Sequence, residues 1–378
     1  MSVTVCVWAN TLNFTMGGGH LWVYLNWALG LRALGCQVIW LEAVAPHRPA
    51  HKVRAKVVAL KRRLERYDLA GCLALCSSST GEPLAREVVE GSLDLEAAAE
   101  ADLLLNLGYF APPELVGRFR RSALVDIDPG LLQIWVSKGW TNLARHDLYF
   151  TIGETVGQSG SRIPDVGLQW QYTPPCVSLD WWPVHQAARD APFTTVSNWN
   201  AKEWVEDEDG FYLNDKRTGF LPFLNLPRRT NQPLELALCI WDEETYDLVA
   251  LQQKGWRVRH AHKVTPTPED YQRYIQDSLG EFSCAKPSCV RLQNSWISDR
   301  TLCYLASGKP AVVQHTGPSR FLPDSAGLFR FCNMDEAARH LERVATDYER
   351  QCNLARALAE EHFDAQKVVR NVLERALT

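Results

Sequence analysis

The sequence lacks an apolar run of the roughly 20 residues that a bilayer-spanning helix needs, so we expect no integral membrane segment. No basic region precedes the first apolar stretch, and a signal peptide is therefore not expected. A metal-binding CxxC pair is also missing. The 11 cysteines are scattered, and Cys6, Cys239 and Cys303 lie in apolar runs, where a thiol acts as a small hydrophobe. These features predict reduced thiols and a cytoplasmic location.

An excess of positive charge is absent as well. The formal net charge is -4, which argues against a general nucleic-acid binder. What is present is typical of a globular protein: 378 residues, of which 46% are hydrophobic and 22% are charged. This length suits two domains of ordinary size. The 14 tryptophans are many, and we expect most in the core and some as platforms for sugar or acceptor rings.

The stretch from residue 280 to residue 317 predicts a strand, a loop, a helix and a buried strand. Ser298 suits the N-cap of the helix, and Asp299 suits its first turn. A helix N-terminus with unpaired amides therefore opens here, and Arg300 adds a rigid set of donors. Such a site binds anions, and a diphosphate fits it best. The alternative is an ordinary strand–helix unit whose Arg300 faces solvent.

This stretch resembles the C-terminal half of GT-B glycosyltransferases, which hold a nucleotide-sugar between two Rossmann-like domains. It is most similar to a group of bacterial glycosyltransferases with the run W-(F/I)-S-D-R-x-x-x-Y-L-A-x-G-x-P-x-V-V-Q-x-T-G. Similar proteins also carry a GEFSxAK run, here Gly280–Lys286. The resemblance extends more thinly over nearly the whole chain. The residues that match the longer run are Trp296, Ser298, Asp299, Arg300, Tyr304, Leu305, Ala306, Gly308, Pro310, Val312, Val313, Gln314, Thr316 and Gly317.

The resemblance implies an α/β protein of the GT-B fold, in which two Rossmann-like domains face each other across a cleft. Residues 1–185 would form the acceptor domain and residues 186–360 the nucleotide-sugar-binding domain. Residues 361–378 would form a helix that packs back on the first domain. The implied donor is a UDP-sugar or dTDP-sugar, used as co-substrate without a further cofactor or a metal. The acceptor would be a small molecule, a peptide or a glycan, and the oligomeric state stays open.

A strand, a glycine loop, a helix and a second strand at the N-terminus predict the opening unit of a doubly wound domain. The loop contains Gly17, Gly18 and Gly19, which allow close approach of a ligand, and we assign Gly18 and Gly19 to donor binding. The pattern is not GxGxxG, but Glu42 after the second strand could imitate the ribose-binding acid of a dehydrogenase. An NAD-linked oxidoreductase is therefore an alternative, and a plain helix-entry turn is another.

His20 opens the first helix and is the candidate catalytic base, because many inverting GT-B enzymes use a histidine in a comparable place. Asp126 and Asp128 follow a predicted strand at the sheet edge where such folds bind ligands. One of them would orient His20. The two aspartates spell a DxD motif, but they lie away from the proposed phosphates. Alternatively, His20 caps or packs the helix, and Asp128 is a helix cap before Pro129.

The position that holds a glutamate in many retaining GT-B enzymes is Cys303 here, which favours inversion. The remaining donor-site candidates lie in the second half of the chain. Asn198 and Lys286 would support Ser298 and Arg300 at the phosphates, and Glu281 would bind sugar hydroxyls or Lys286. Gln314, Thr316 and Gly317 would touch sugar or phosphate, or simply form a turn.

Two charged segments have less specific interpretations. Residues 51–67 predict a basic amphipathic helix, which is either a solvated surface or a patch for an anionic acceptor or lipid headgroups. The acidic residues 203–209 predict a solvated loop. Besides the oxidoreductase, the alternatives to glycosyl transfer are a nucleotide-sugar epimerase of the same fold and a related binding protein without turnover.

Overall fold

The computed structural model describes residues 3–79, 82–207, 210–240 and 245–378. Each half of the chain contains one seven-stranded sheet that is mostly or wholly parallel. Strands alternate with helices along the sequence, as the apolar runs and helical periodicities predict. The predicted α/β class with two sheet-containing halves is confirmed.

The first sheet has the strand order β3-β2-β1-β4-β5-β6-β7, and all of its neighbouring strands are parallel. The first six positions follow the doubly wound order, in which ligands bind at the carboxyl ends of the strands. The central strands are apolar and buried on both faces, as a covered parallel sheet requires. The strands are β1 (Thr4–Ala9), β2 (Gln37–Val44), β3 (Leu73–Ser77), β4 (Leu103–Asn106), β5 (Ser122–Asp126), β6 (Leu148–Thr151) and β7 (Trp170–Tyr172).

The helices of the first half connect these strands. Two of them are long, and the other four have seven residues or fewer. They are α1 (Gly19–Ala33), α2 (Ala50–Glu65), α3 (Arg86–Val89), α4 (Leu95–Ala99), α5 (Pro113–Val116) and α6 (Leu131–Ser137).

The second sheet has the order β12-β11-β8-β13-β14-β16-β15, with an antiparallel pairing only between β15 and β16. A separate antiparallel hairpin, β9 and β10, follows β8. The strands are β8 (Phe193–Asn198), β9 (Trp204–Asp207), β10 (Gly210–Leu213), β11 (Leu234–Cys239), β12 (Arg257–His260), β13 (Gly280–Ser283), β14 (Ala311–Gln314), β15 (Ser325–Ala326) and β16 (Leu328–Phe331). The helices are α7 (Lys216–Phe220), α8 (Thr245–Gln253), α9 (Ala261–Val264), α10 (Pro268–Gln276), α11 (Pro287–Leu292), α12 (Asp299–Ala306), α13 (Met334–Thr346), α14 (Tyr348–Leu358) and α15 (Ala365–Leu377).

The hairpin corrects one prediction. Residues 204–207, predicted as part of a solvated loop, form strand β9 instead. The rest of that run, Glu208 and Asp209, lies outside the described residues, as do Trp241 and Glu243 at the predicted ends of β11 and α8.

The C-terminal tail returns to the first half of the chain. It is helical, with interruptions near Asp347 and Asp364 as the sequence predicts. Helix α15 packs against α1 so closely that a Cβ added at Gly30 would lie 2.8 Å from the Cβ of Ala365. Backbone pairing between Val177 and Asp364 secures the crossing. Within the described ranges, no helix combines the length and apolarity that crossing a membrane requires.

Candidate active site between the two sheets

Side chains from both halves of the chain line one cleft of about 470 Å³. This volume falls in the range of about 300–1,000 Å³ that is typical of small-molecule sites. Both walls carry aromatic side chains. Besides tyrosines and cysteines, the ionisable residues that line the cleft are His20 and Asp128 from the first half, and Glu203, Lys216, Lys286 and Asp299 from the second half.

His20, the second residue of α1, lies in this cleft with a defined tautomer. Its Nε2 lies 2.8 Å from the carbonyl oxygen of Asn10. A carbonyl only accepts, so Nε2 carries the hydrogen, and Nδ1 keeps its lone pair. Burial lowers the pKa of His20, against the opposing influence of the Asn10 carbonyl and the Asp299 carboxylate. The imidazole is therefore neutral near pH 7 and has a lone pair available for a proton.

Asp126 does not orient His20, which corrects the prediction. Its side chain is fully buried and accepts hydrogen bonds from Gln133 Nε2 (2.6 Å), Thr151 Oγ1 (2.9 Å) and the Asp128 amide (3.1 Å). Burial raises the pKa of Asp126 to about 6, although these bonds favour the charged form. Strand β5 ends at Asp126, so the strand alternation that would turn both aspartates to one side does not continue to Asp128.

Asp128 lies in the cleft, but the charged groups that act on it are Lys286, Glu203, Asp299 and Lys216 of the second half and not His20. Burial raises the pKa of Asp128, and the Lys286 ammonium opposes this rise. Asp128 is not a helix cap either, because α6 begins at Leu131 after Gly130, whose φ is +103°. The sequence therefore placed Asp128 at the correct edge of the sheet and assigned it the wrong partner.

Lys286 lies between carboxylates from both walls. Its Nζ donates to Glu203 Oε2 at 2.8 Å. Burial lowers the pKa of Lys286, but the carboxylates of Asp128 and Glu203 outweigh burial and raise it above its ordinary value. Lys286 is consequently a permanent cation of the cleft. Glu203, predicted to be solvated, is instead a half-buried residue of the site.

Lys216 is a second cation of the cleft, and the sequence patterns did not predict it. It is the first residue of α7, whose N-cap is Asp215. Its Nζ donates to the carbonyl oxygen of Cys284 at 2.5 Å and lies 5.5 Å from the centre of the Trp296 ring. Burial, followed by the charge of Arg300, lowers the pKa of Lys216 to about 8. Asp215 before a helical segment was the available signal, but it located only the helix and not the direction of Lys216.

The N-terminus of α12 borders the cleft, as its predicted role requires. Ser298 is the N-cap, and its Oγ accepts from the amide of Arg300 at 3.3 Å. Trp296, Ser298 and Asp299 line the cleft. Burial raises the pKa of Asp299, while Arg300, its own amide and His20 lower it. The carboxylate that acts on His20 thus comes from α12 and not from the end of β5.

Arg300 does not reach the cleft, which corrects its assignment to phosphate binding. Its Nε donates to Glu281 Oε1 at 2.8 Å, and its Nη1 donates to the Val196 carbonyl at 3.1 Å. Glu281 is fully buried in β13, so it contacts neither a sugar nor Lys286. A buried carboxylate needs a cation, and Arg300 supplies it from the neighbouring helix. The pair joins α12 to the sheet beneath the site.

Gly18 and Gly19 do not form an open phosphate loop, which corrects their assignment to donor binding. The Gly18 amide donates to the Thr265 carbonyl at 2.9 Å. A Cβ at Gly18 would lie 2.0 Å from the Thr267 carbonyl oxygen, and one at Gly19 would lie 2.7 Å from the Tyr271 ring. The glycines therefore allow α10 of the second half to pack against the start of α1.

The NAD-linked alternative loses its ribose-binding acid for a similar reason. The Glu42 carboxylate is buried and accepts from the Thr11 amide (2.9 Å), the Leu12 amide (3.2 Å) and Trp40 Nε1 (3.0 Å). These contacts tie the loop after β1 to the end of β2. Glu42 thus stabilises the loop at this edge of the sheet. The glycine loop beside it is covered by α10.

We expect Gly18→Ala to lower the free energy of unfolding by at least about 2 kcal/mol, because the new methyl group collides with backbone that cannot move alone. Urea unfolding followed by circular dichroism measures this change. Gly71→Ala is the matched control, since no heavy atom lies within 4 Å of a Cβ added there. Equal stability of both variants would contradict the packing described for Gly18.

Gln314 and Thr316 support loops of the second half. Gln314 Oε1 accepts from the amide of Ala285 at 3.0 Å, next to Lys286. Thr316 Oγ1 donates to the carbonyl of Trp296 at 2.6 Å. These contacts correct the prediction that the two side chains touch sugar or phosphate. They hold in place the backbone that presents Lys286 and Trp296 to the cleft.

Gly317 and Asn198 lie outside the lining of the cleft. Gly317 has a φ of +123°, and a Cβ there would lie 2.6 Å from the Gln293 backbone, so close packing requires the glycine. Asn198 ends β8 with an exposed side chain. Neither residue occupies the predicted donor-binding position. Among the residues that the structure describes, no three His, Cys, Asp or Glu side chains are grouped to hold a metal ion.

No family model and no curated protein matches this chain. Solved structures do match it over nearly its full length. An alpha-glucosyltransferase in complex with UDP and a 13-mer DNA gives a TM-score of 0.60 at 11% identity, covering 100% of both chains. The chain has the GT-B fold. HepE from Anabaena, in complex with UDP-glucose, gives a TM-score of 0.56 at 11% identity over 98% of each chain. Sucrose-phosphate synthase from Thermosynechococcus elongatus gives 0.57 at 10% identity, covering 99% of this chain and 98% of that one.

At such low identity, the likeness establishes the GT-B fold and leaves the chemistry to the residues of the cleft. The two Rossmann-like sheets of this fold place His20 on one wall, with Lys216 and Lys286 on the other. The tail helix α15 packs on α1 of the first sheet.

Proposed function

We propose that the protein is a glycosyltransferase that moves a sugar from a nucleoside-diphosphate sugar to an acceptor nucleophile. The main support is that two lysines of the second domain, Lys216 and Lys286, share one cleft with the neutral His20 of the first domain. Transfer needs cations for the leaving diphosphate and a base for the acceptor, and this cleft contains both. The GT-B structures in complex with UDP-glucose or UDP add support for a UDP-sugar donor.

The donor diphosphate would bind to the two lysines beside the N-terminus of α12. Each ammonium has three N–H groups, of which the contact with Cys284 or Glu203 takes one. Fixed cations in a partly closed cleft stabilise the charge that develops as the glycosidic bond breaks. This assignment replaces Arg300 with Lys216 as the phosphate ligand next to the helix. The helix dipole of α12 adds a smaller contribution of the same sign.

His20 would act as the general base. Its Nδ1 takes the proton from the acceptor as the acceptor atom attacks the anomeric carbon, while the bond to the diphosphate oxygen breaks on the opposite face. The product then has inverted anomeric configuration. Asp299, which acts electrostatically on His20, favours the imidazolium that forms. The hydrogen bond from Nε2 to Asn10 keeps Nδ1 available throughout.

Release of nucleoside diphosphate from a panel of UDP- and dTDP-sugars tests this function. We expect release from at least one donor, faster with an acceptor extract, and unchanged within about twofold when EDTA is added, since the lysines replace a metal. NMR of the product would show the inverted anomer. Absence of release from every donor would contradict the proposal, and an EDTA-sensitive rate would contradict its metal-independent form.

The pKa of Lys216 predicts how UDP affinity depends on pH. Lys216 is charged below about pH 8 and neutral above it, and the diphosphate binds the charged form. The affinity therefore decreases as pH rises through this value, by about tenfold between pH 7 and pH 9. Isothermal titration calorimetry with UDP measures it. Lys216→Met is the control, and it should bind more weakly and lose most of this dependence. An equal pH dependence in both proteins would show that another group is responsible.

A further inference from the structure

Helix α2 concentrates positive charge on one surface of the first domain. Its 16 residues, Ala50–Glu65, include six lysines and arginines and one acidic residue, whereas the whole chain has a net charge of -4. The apolar stripe of the helix is buried in the core, and the basic residues lie outside this stripe. This is a local charge excess that the cleft chemistry does not use.

An exposed apolar loop lies directly beside this helix. Phe14 is 51% exposed and Met16 is 67% exposed. Arg63 of α2 donates to the Thr15 carbonyl at 2.7 Å and to the Gly17 carbonyl at 3.2 Å, and so holds the backbone on both sides of Met16. The same helix that supplies the charge therefore fixes Met16 as a protruding apolar tip.

Three further cations of α2 are available for an external partner. Lys52 and Arg62 are exposed, and Lys56 is half-buried. In contrast to Arg54 and Arg66, which have carboxylate partners at 3.7 and 3.9 Å, these three make no ion pair with any carboxylate in the described part of the chain. We call Lys52, Lys56, Arg62, Phe14 and Met16 the basic-apolar surface.

We propose that the basic-apolar surface docks on the anionic surface of a lipid bilayer. Cations attract the headgroups, and an exposed apolar tip beside the same helix gains by insertion at the boundary of the acyl chains. A nucleic acid would satisfy the cations but would leave Met16 in water. The surface also adjoins the cleft, because the Phe14 ring lies 4.4 Å from the His20 ring. The docked protein would thus receive an acceptor displayed at the membrane, an implication that rests on the proposed function.

Flotation of the full-length protein with vesicles tests the docking independently of catalysis. One set of vesicles contains equal parts of phosphatidylglycerol and phosphatidylcholine, and the other contains phosphatidylcholine alone. The first variant combines Lys52→Gln, Lys56→Gln and Arg62→Gln, and the second is Met16→Ser. The matched control combines Arg339→Gln, Arg350→Gln and Arg370→Gln, which removes three exposed charges from tail helices. Circular dichroism of each variant verifies its folding, and its UDP affinity tests the nucleotide site separately.

We expect binding to the anionic vesicles and little binding to the neutral ones. Loss of three charges should weaken partitioning by about a hundredfold, and Met16→Ser should weaken it severalfold, whereas the control should stay close to the parent protein. Failure of the parent protein to float with anionic vesicles would overturn the proposal, as would equal losses in the triple variant and its control. Tight binding of duplex DNA through the same three residues, with no flotation, would assign the surface to nucleic acid instead. Flotation without UDP binding would retain the docking surface and reject the proposed function.

Discussion

His20→Ala is expected to lower the rate of sugar transfer by about a hundredfold or more and to leave UDP affinity within about twofold of the parent protein. The variant removes the neutral imidazole from the cleft wall opposite the lysines, but it leaves the lysines unchanged. Steady-state transfer assays and calorimetry with UDP measure the two quantities separately. A loss of affinity as large as the loss of rate would show that His20 binds the donor.

His340→Ala is the matched control for this prediction. His340 is half-buried in α13, where its ring lies 5.4 Å from that of Phe329. The control should leave the transfer rate unchanged within about twofold, because α13 is remote from the reacting groups. If His20→Ala retained the rate of this control, His20 would not be the base, and the half-buried Asp128 would be the next residue to substitute.

Arg300→Met is expected to lower the free energy of unfolding by about 3–5 kcal/mol, because it leaves Glu281 buried without a counter-charge. Urea unfolding measures this loss. The double variant Arg300→Met/Glu281→Met should recover a large part of it, since removing both charges removes the uncompensated one. Arg350→Met, at an exposed position, should change stability by no more than about 0.5 kcal/mol.

The same Arg300 variant separates a structural role from a phosphate-binding role. If the Arg300–Glu281 pair only stabilises the fold, folded Arg300→Met should bind UDP with an affinity within a few-fold of that of the parent protein. Normal stability together with lost UDP binding would instead place the guanidinium at the donor and contradict the geometry described above.

Much of the fold follows from local sequence patterns. Apolar runs such as residues 122–126 predict buried parallel strands, and Ser298 marks the start of α12 through its hydroxyl. The predicted interruptions of the tail near Asp347 and Asp364 agree with the structure. These features depend on periodicity and capping, which act within a few residues and are therefore legible in the sequence.

The candidate site was less accessible to prediction, because it depends on contacts between distant segments. Arg300 follows an N-cap, which suggested a free guanidinium, but its direction is set by Glu281 of β13. Gly18 resembled part of a phosphate loop, but the Thr267 carbonyl excludes a side chain there. For Lys216, the local signal at Asp215 locates only the start of α7. The side chain reaches the cleft because α7 packs on the loop after β13. His20 lines the cleft, as expected of a residue that opens the first helix, and its role as the base, which the resemblance implied, stays a prediction.

The central claim is that Lys216 and Lys286 hold the donor diphosphate. Its most direct test compares the binding of UDP by the parent protein with that by the double variant Lys216→Met/Lys286→Met. Isothermal titration calorimetry at pH 7 gives both affinities. We expect measurable binding by the parent protein and a loss of about a hundredfold or more in the double variant, since each charge-assisted contact contributes about 1.5–3 kcal/mol. Equal affinities in the two proteins, or the absence of binding by the parent protein, would contradict the claim.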